Sequence, residues 1–201
     1  MPFNHNDHYH PLLLGLVPPG AERALDIGCG TGGFARALAA RGLTVDALDA
    51  DEGVIAAAKE QSPRGEVRYA VVDVAHRPPP PGTYDFISCV ASLHHMDFDT
   101  LAPLRDALRP GGVLAVLGLS RGGSGPGYYA RQAPVAALNL LMRAVYAVRD
   151  ARAGTPAPLR PPVRDAEMTL AEIRVRAAAL LPGSVVSPRL FWRYVLAYRR
   201  P

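Results

Sequence analysis

Lysine occurs once in this chain, at Lys59, tryptophan once and cysteine twice, so 201 residues hold little of three chemically distinctive side chains. Two cysteines, Cys29 and Cys89, are too few for a disulfide framework, and neither has the partners of a zinc spacing. Both read as small buried packing residues. Long apolar runs are also missing: no segment approaches about 20 uninterrupted hydrophobic residues, which argues against a membrane-spanning helix. The start MPFNHNDHYH has neither the basic patch nor the apolar run of a signal peptide. A soluble, cytoplasmic protein is the expectation, as a monomer or homodimer. With one lysine, the basic excess is almost wholly arginine, and it is uneven. Residues 143–201 hold eleven Arg against four acids, whereas residues 1–142 hold eleven basic groups against fourteen acids. Such a tail suits RNA, a membrane surface or an acidic substrate. Arginine and aromatic residues are not interleaved into a stacking platform, however, so nucleic acid is the disfavoured partner. The hydrophobic content of 49% is enough to bury a core at the size of one α/β domain.

What is present is concentrated in Leu25-Asp26-Ile27-Gly28-Cys29-Gly30-Thr31-Gly32-Gly33, a buried strand that ends in a glycine turn and opens a helix. Glycines let the backbone turn sharply and leave no Cβ between main chain and ligand. The free N–H groups at the helix start favour polar or anionic ligand atoms. Gly28, Gly30 and Gly33 satisfy the dinucleotide pattern GxGxxG, while Gly28, Gly30 and Gly32 preceded by Asp26 give an acidic-start GxGxG. A carboxylate at Asp26 repels a pyrophosphate and attracts an ammonium group. It therefore favours an amino-acid-bearing nucleoside over NAD.

Leu43 to Leu48 reads as a second strand ending at Asp49, about 20 residues after the glycine turn, where a carboxylate can accept hydrogen bonds from ribose hydroxyls. A third strand, Val67 to Val72, ends at Asp73. A fourth, Tyr84 to Val90, runs into Ala91-Ser92-Leu93-His94-His95-Met96-Asp97. Then Leu108-Arg109-Pro110-Gly111-Gly112 reads as the end of a helix stopped by Pro-Gly-Gly before a fifth strand.

In these residues the chain resembles the class I S-adenosylmethionine-dependent methyltransferases. LDIGCGTGG is similar to that family's first motif, Asp49 to its ribose site, VVDV at 71–74 to its adenine site, and LRPGG at 108–112 to the turn before its fifth strand. The likeness runs in order from about residue 21 to 118, with a looser match at the C-terminus. It implies a Rossmann-like, doubly wound α/β sheet of seven strands, mostly parallel with an antiparallel last strand. S-adenosylmethionine is the implied cofactor, S-adenosylhomocysteine the product, and a small-molecule acceptor the partner, with no metal. The implied cofactor contacts are Asp26, Gly28, Cys29, Gly30 and Gly32 along the methionine part, Asp49 and Ala50 at the ribose, Asp73 and Val74 at the adenine, and Cys89 beside them. An RNA or protein acceptor, or a non-catalytic cofactor-binding module, are the other readings the fold allows.

Flanking segments carry the remaining expectations. Residues 1–20 read as an N-terminal cap with a short helix over Pro11–Val17, closed by Pro18-Pro19-Gly20. Within it Asn4, His5, Asn6, His8, Tyr9 and His10 are crowded with polar and aromatic groups. Tyr9 is placed to shield the sulfonium by a cation–π contact. Methyl transfer needs a base only if the acceptor enters protonated, and histidine suits that role. The candidates are His94, His95 and His8. Residues 21–201 form the expected single domain, with a lid-like insertion at about 120–165. It comprises a glycine-rich loop at 121–127, an amphipathic helix over 130–149 and a proline-rich stretch at 154–162. Met168 to Leu181 reads as a helix capped by Thr169 and Glu172. Val185–Ser187 and Phe191–Tyr198 read as two strands turning around Pro188-Arg189.

Overall fold

Seven strands hydrogen-bond into one sheet, and the computed structural model of the chain describes residues 7–62, 65–122, 166–189 and 193–201. The strands are β1 (Arg23–Ile27), β2 (Thr44–Asp49), β3 (Val67–Val71), β4 (Tyr84–Val90), β5 (Leu108–Leu119), β6 (Val185–Arg189) and β7 (Arg193–Arg199). Their order is β3-β2-β1-β4-β5-β7-β6. The first five run parallel, and β7 is antiparallel to both of its neighbours. This is the expected doubly wound α/β sheet. Strand order reverses between β1 and β4, which opens a crevice at their carboxyl ends where ligands bind in such sheets.

In β4 and β5 the apolar runs are nearly continuous because both faces of the central sheet are covered. On one face Leu25, Ile27, Ile87, Leu114 and Val116 pack against α4 (Leu101–Ala107) and α5 (Leu170–Leu180). Their sequence neighbours Ala24, Phe86, Ala115 and Leu117 point the other way. They meet Leu13 of α1 (His10–Leu14), Phe34 and Leu38 of α2 (Gly33–Ala39) and Ile55 of α3 (Glu52–Glu60). Each fully buried side chain of this size, such as Phe86, contributes about 1.5–3 kcal/mol.

Local signals set the helix ends. Asp51 caps α3 by accepting the Val54 N–H at 3.0 Å. In α5 the Thr169 hydroxyl accepts the Glu172 N–H at 3.3 Å while the Glu172 carboxylate accepts the Thr169 N–H at 2.7 Å, the expected reciprocal cap. Among the described residues no helix is long and apolar enough to cross a membrane.

Two expectations are corrected. Pro110-Gly111-Gly112 does not stop a helix: α4 ends at Ala107, and Leu108 already pairs with Tyr84. Pairing next resumes at Phe86 opposite Val113, so residues 109–112 bulge against Asp85 alone. Gly112 is needed there because a Cβ would come within 2.9–3.1 Å of the Arg109, Asp85 and Tyr84 carbonyl oxygens. Likewise Pro188 and Arg189 do not turn but continue β6, opposite Tyr194 and Arg193. Proline is tolerated because β6 is the sheet edge, where its missing N–H leaves no neighbouring strand unpaired. The helix expected over 130–149, the proline-rich stretch and nearly all of the lid-like insertion lie outside the described residues, as do Asn4, His5 and Asn6.

Candidate functional site

Beyond β1 the chain makes the glycine turn, with Gly28, Gly30 and Gly32 at φ of 63°, 55° and 78°. The three differ in what a side chain would meet. A Cβ at Gly28 would fall 2.2 Å from the Ser92 Cβ, and one at Gly32 would fall 2.2 Å from the Tyr69 hydroxyl, whereas one at Gly30 would meet nothing within 4 Å. Gly28 and Gly32 thus let the turn close onto Ser92 and Tyr69. Gly30 is the position that faces open space.

Carboxylates gather around this turn. Asp49, at the end of β2, accepts the Gly30 N–H at 3.0 Å and the Asp51 N–H at 3.1 Å, so it ties the turn to the second strand. Each oxygen keeps a further lone pair for a ligand. Ala50 beside it is exposed. Past β3, Asp73 accepts the Ala75 N–H at 2.9 Å and meets His76 Nδ1 at 2.9 Å. The Ala75 amide first, then His76, hold its carboxyl below the usual range. Val74 is 3% exposed with its side chain in the core, so its main chain is what a ligand can reach.

Asp26 is 1% exposed inside β1. Burial pushes its pKa up to about 7, against the lowering pull of the Ser88 hydroxyl, which donates to it at 2.7 Å; the Asp49 charge adds to the rise. Cys29 and Cys89 are buried free thiols, and burial first, then the Asp26 charge, pushes both upward. Neither is an activated nucleophile. Cys89 packs with Ile27, Ile87 and Val116, so its side chain supports the turn from below.

The N-terminal residues come to the same edge. Tyr9 is 4% exposed and packs in one cluster with Cys29, Phe34 and Val195, with its ring edge-on to His8 at 5.0 Å. His8 is exposed, and His10 lies 4.9 Å from the Phe34 ring. On the opposite face the turn after β4 carries His94, half-buried, and His95, exposed, with ring centroids 4.1 Å apart. His94 lines a cleft of about 190 Å³ with Met96, Phe98, Met168 and Tyr194. The structure therefore gathers the glycine turn, Asp26, Asp49 and Tyr9 closely, while His8 and the histidine pair occupy different sides.

Sequence reading missed several contributors. Ala91 adopts φ 55° where β4 leaves the sheet, a left-handed conformation rare for a residue with a side chain. It swings Ser92 back so that its hydroxyl donates to the Ile27 carbonyl at 2.6 Å. Ser88 offered a signal, as a polar residue within an apolar strand. Tyr69, bonded to Ser62 at 2.9 Å, and His76 offered none.

Comparison with known proteins agrees with this architecture. A family model described as a methyltransferase domain matches residues 24–112. Over its whole length the chain is 32% identical to an uncharacterized methyltransferase of Mycobacterium bovis, and the match takes in 98% of that protein. It is also 32% identical over 108 residues to the ubiquinone biosynthesis O-methyltransferase of Marinobacter nauticus, covering 50% of this chain and 45% of that one. Among solved structures it is similar to phospholethanolamine N-methyltransferase 2 of Haemonchus contortus, in complex with phosphomonomethylethanolamine and S-adenosylhomocysteine. That match has a TM-score of 0.53 and 28% identity, over 63% of this chain and 32% of that one. With the glycine turn, the strand-end acids and the antiparallel β7 in place, the chain belongs to the S-adenosylmethionine-dependent methyltransferases, and S-adenosylmethionine is its cofactor.

Proposed function

We propose that this enzyme methylates a small molecule held over the carboxyl ends of β4 and β5, beneath the N-terminal residues. The observation that carries the reading is the burial of Tyr9, 4% exposed against the residues of the glycine turn and β7. A cap at that place stands across the edge where a polymer would approach and encloses a metabolite instead. The names of two proteins that this chain resembles, a ubiquinone biosynthesis O-methyltransferase and a phospholethanolamine N-methyltransferase, support a small acceptor.

The residues around the turn suit an adenosyl amino acid. Gly30 leaves its side of the turn open, Asp49 retains acceptor capacity for ribose hydroxyls, and Asp73 with the Val74 main chain stands where the adenine would lie. Asp26 and the backbone of Gly28, Cys29 and Gly32 flank the methionine part, and its ammonium group favours the ionised form of Asp26. The bound cofactor supplies an activated methyl group. The protein then has to align the nucleophile and exclude water. Tyr9 serves as shield and cation–π partner, while His94, His95 or His8 removes a proton where the acceptor carries one.

The test is incubation of the purified protein with methyl-labelled S-adenosylmethionine and a fractionated bacterial extract. Label appearing in the small-molecule fraction is expected. Label confined to RNA or protein, with turnover falling steeply as salt is raised, would overturn the reading. Tyr9→Ala should lower turnover more than it lowers the melting temperature; equal losses would make Tyr9 a packing residue only.

A further inference from the structure

Six of the described arginines reach an acid: Arg23 and Arg68 meet Asp46, Arg109 meets Asp85, Arg105 meets Asp106, Arg121 meets Glu172 and Arg176 meets Asp99. Arg193 does not. It opens β7 at the carboxyl edge of the sheet, in register with Leu119, the last residue of β5. Its Nε and Nη1 are buried and make no hydrogen bond among the described residues. Strand alternation places its side chain on the face of Val195, which packs in the cluster holding Tyr9 and Cys29. Burial acts to lower its pKa, and the group opposing this is the Tyr9 phenol rather than a carboxylate.

A guanidinium keeps its proton in any protein, so the N–H groups of Nε and Nη1 stay as buried donors without a partner among the described residues. Buried polar groups are otherwise hydrogen-bonded, and an exception in a working site points to a ligand. The ligand must be anionic and planar or tetrahedral in its acceptors, since the fork of Nε and one Nη suits a carboxylate or phosphate. Its position separates it from the cofactor. Along the sheet β7 lies three strands from β1, or about 14 Å. The strand-end acids proposed for the cofactor lie on β2 and β3, on the far side of β1. Arg193 therefore belongs to the β4, β5 and β7 half, the side from which an acceptor reaches the methyl group.

We propose that Arg193, with Tyr9 beside it, receives an oxyanion of the methyl acceptor, a carboxylate or a phosphate, and so selects anionic acceptors. This rests on the small-molecule function argued above. The planar fork anchors one end of the acceptor and leaves the nucleophilic end free to turn toward the methyl group.

The test is calorimetric titration of the S-adenosylhomocysteine-loaded protein with benzoate, citrate and inorganic phosphate, for the wild type, Arg193→Met and Arg193→Lys. At least one oxyanion should bind the wild type and lose about tenfold or more in affinity with Met, with partial recovery by Lys. The responding probe distinguishes carboxylate from phosphate. Affinity for S-adenosylhomocysteine should stay within about twofold, and ligand-free Arg193→Met should melt no lower than wild type, because two buried donors without a described partner have been removed. Oxyanion binding absent, or equal in wild type and Met variant, overturns the proposal. So does a loss of S-adenosylhomocysteine affinity, which would put Arg193 on the cofactor, or a much lower melting point, which would make it structural. Failure of the wild type to bind S-adenosylhomocysteine would instead overturn the function on which the proposal rests.

Discussion

Asp26 should make the stability of the ligand-free protein fall as pH rises through neutrality. Its pKa is raised from 3.8 to about 7 in the folded state, chiefly by burial. The folded protein thus holds this proton more tightly than the unfolded chain. The resulting stability is fully present below about pH 3.8 and is lost as pH rises toward 7. A shift of about three units corresponds to about 4 kcal/mol over the full window. About 3 kcal/mol of that falls between pH 5 and 8. Asp26→Asn carries no charge at any pH, and its amide carbonyl can still accept the Ser88 hydroxyl, although its NH₂ group then faces the Ala35 amide. The assay is urea denaturation of wild type and Asn variant at pH 5, 6, 7 and 8, where other carboxylates cancel in the difference. Wild type should lose about 3 kcal/mol relative to Asn across that range. Parallel curves would refute the argument, since they would mean that Asp26 titrates alike in both states. On the reading that Asp26 meets the cofactor ammonium, S-adenosylhomocysteine should also bind wild type more tightly as pH rises through 7, and Asn with a flat profile.

Three further outcomes follow from the turn. Gly28→Ala combines a positive φ with a 2.2 Å approach to Ser92 and should destabilise by more than about 3 kcal/mol, whereas Gly30→Ala meets open space and should lose only the backbone strain, about 1–2 kcal/mol. Equal losses in chemical denaturation would remove Ser92 from the explanation. Asp49→Ala should weaken S-adenosylhomocysteine binding by about 1.5–3 kcal/mol by calorimetry, the range for hydrogen bonds to a charged group, and unchanged affinity would take Asp49 out of the site. Ala91→Gly should raise stability by about 0.5–1 kcal/mol as the strained φ is relieved; a lower melting temperature would show that the methyl group matters more than the strain.

Much of the fold was legible because its signals are local. The central strands β4 and β5 carry short apolar runs, the acids at Asp49 and Asp73 punctuate strand ends, and Thr169 with Glu172 marks a helix start within four residues. The errors arose where a local signal has two structural uses. Pro-Gly-Gly at 110–112 stops helices, yet here it bulges β5 because Leu108 finds Tyr84 across the sheet. Pro188 is a turn residue that survives inside a strand because that strand is an edge.

The sequence alone determined the strand–turn–helix at residues 25–33 and the acids that follow the next two strands, since spacing along the chain decides both. Tertiary structure decided which glycine of the turn faces a ligand and which ones admit neighbours. Ser92 reaches the Ile27 carbonyl across 65 residues of chain, and Tyr69 fills the space that Gly32 leaves. It also decided that Arg193 stands beside Tyr9, 184 positions away along the sequence. Such pairs form only when strand order brings distant segments to one edge, and packing of that kind leaves no period or motif in the chain.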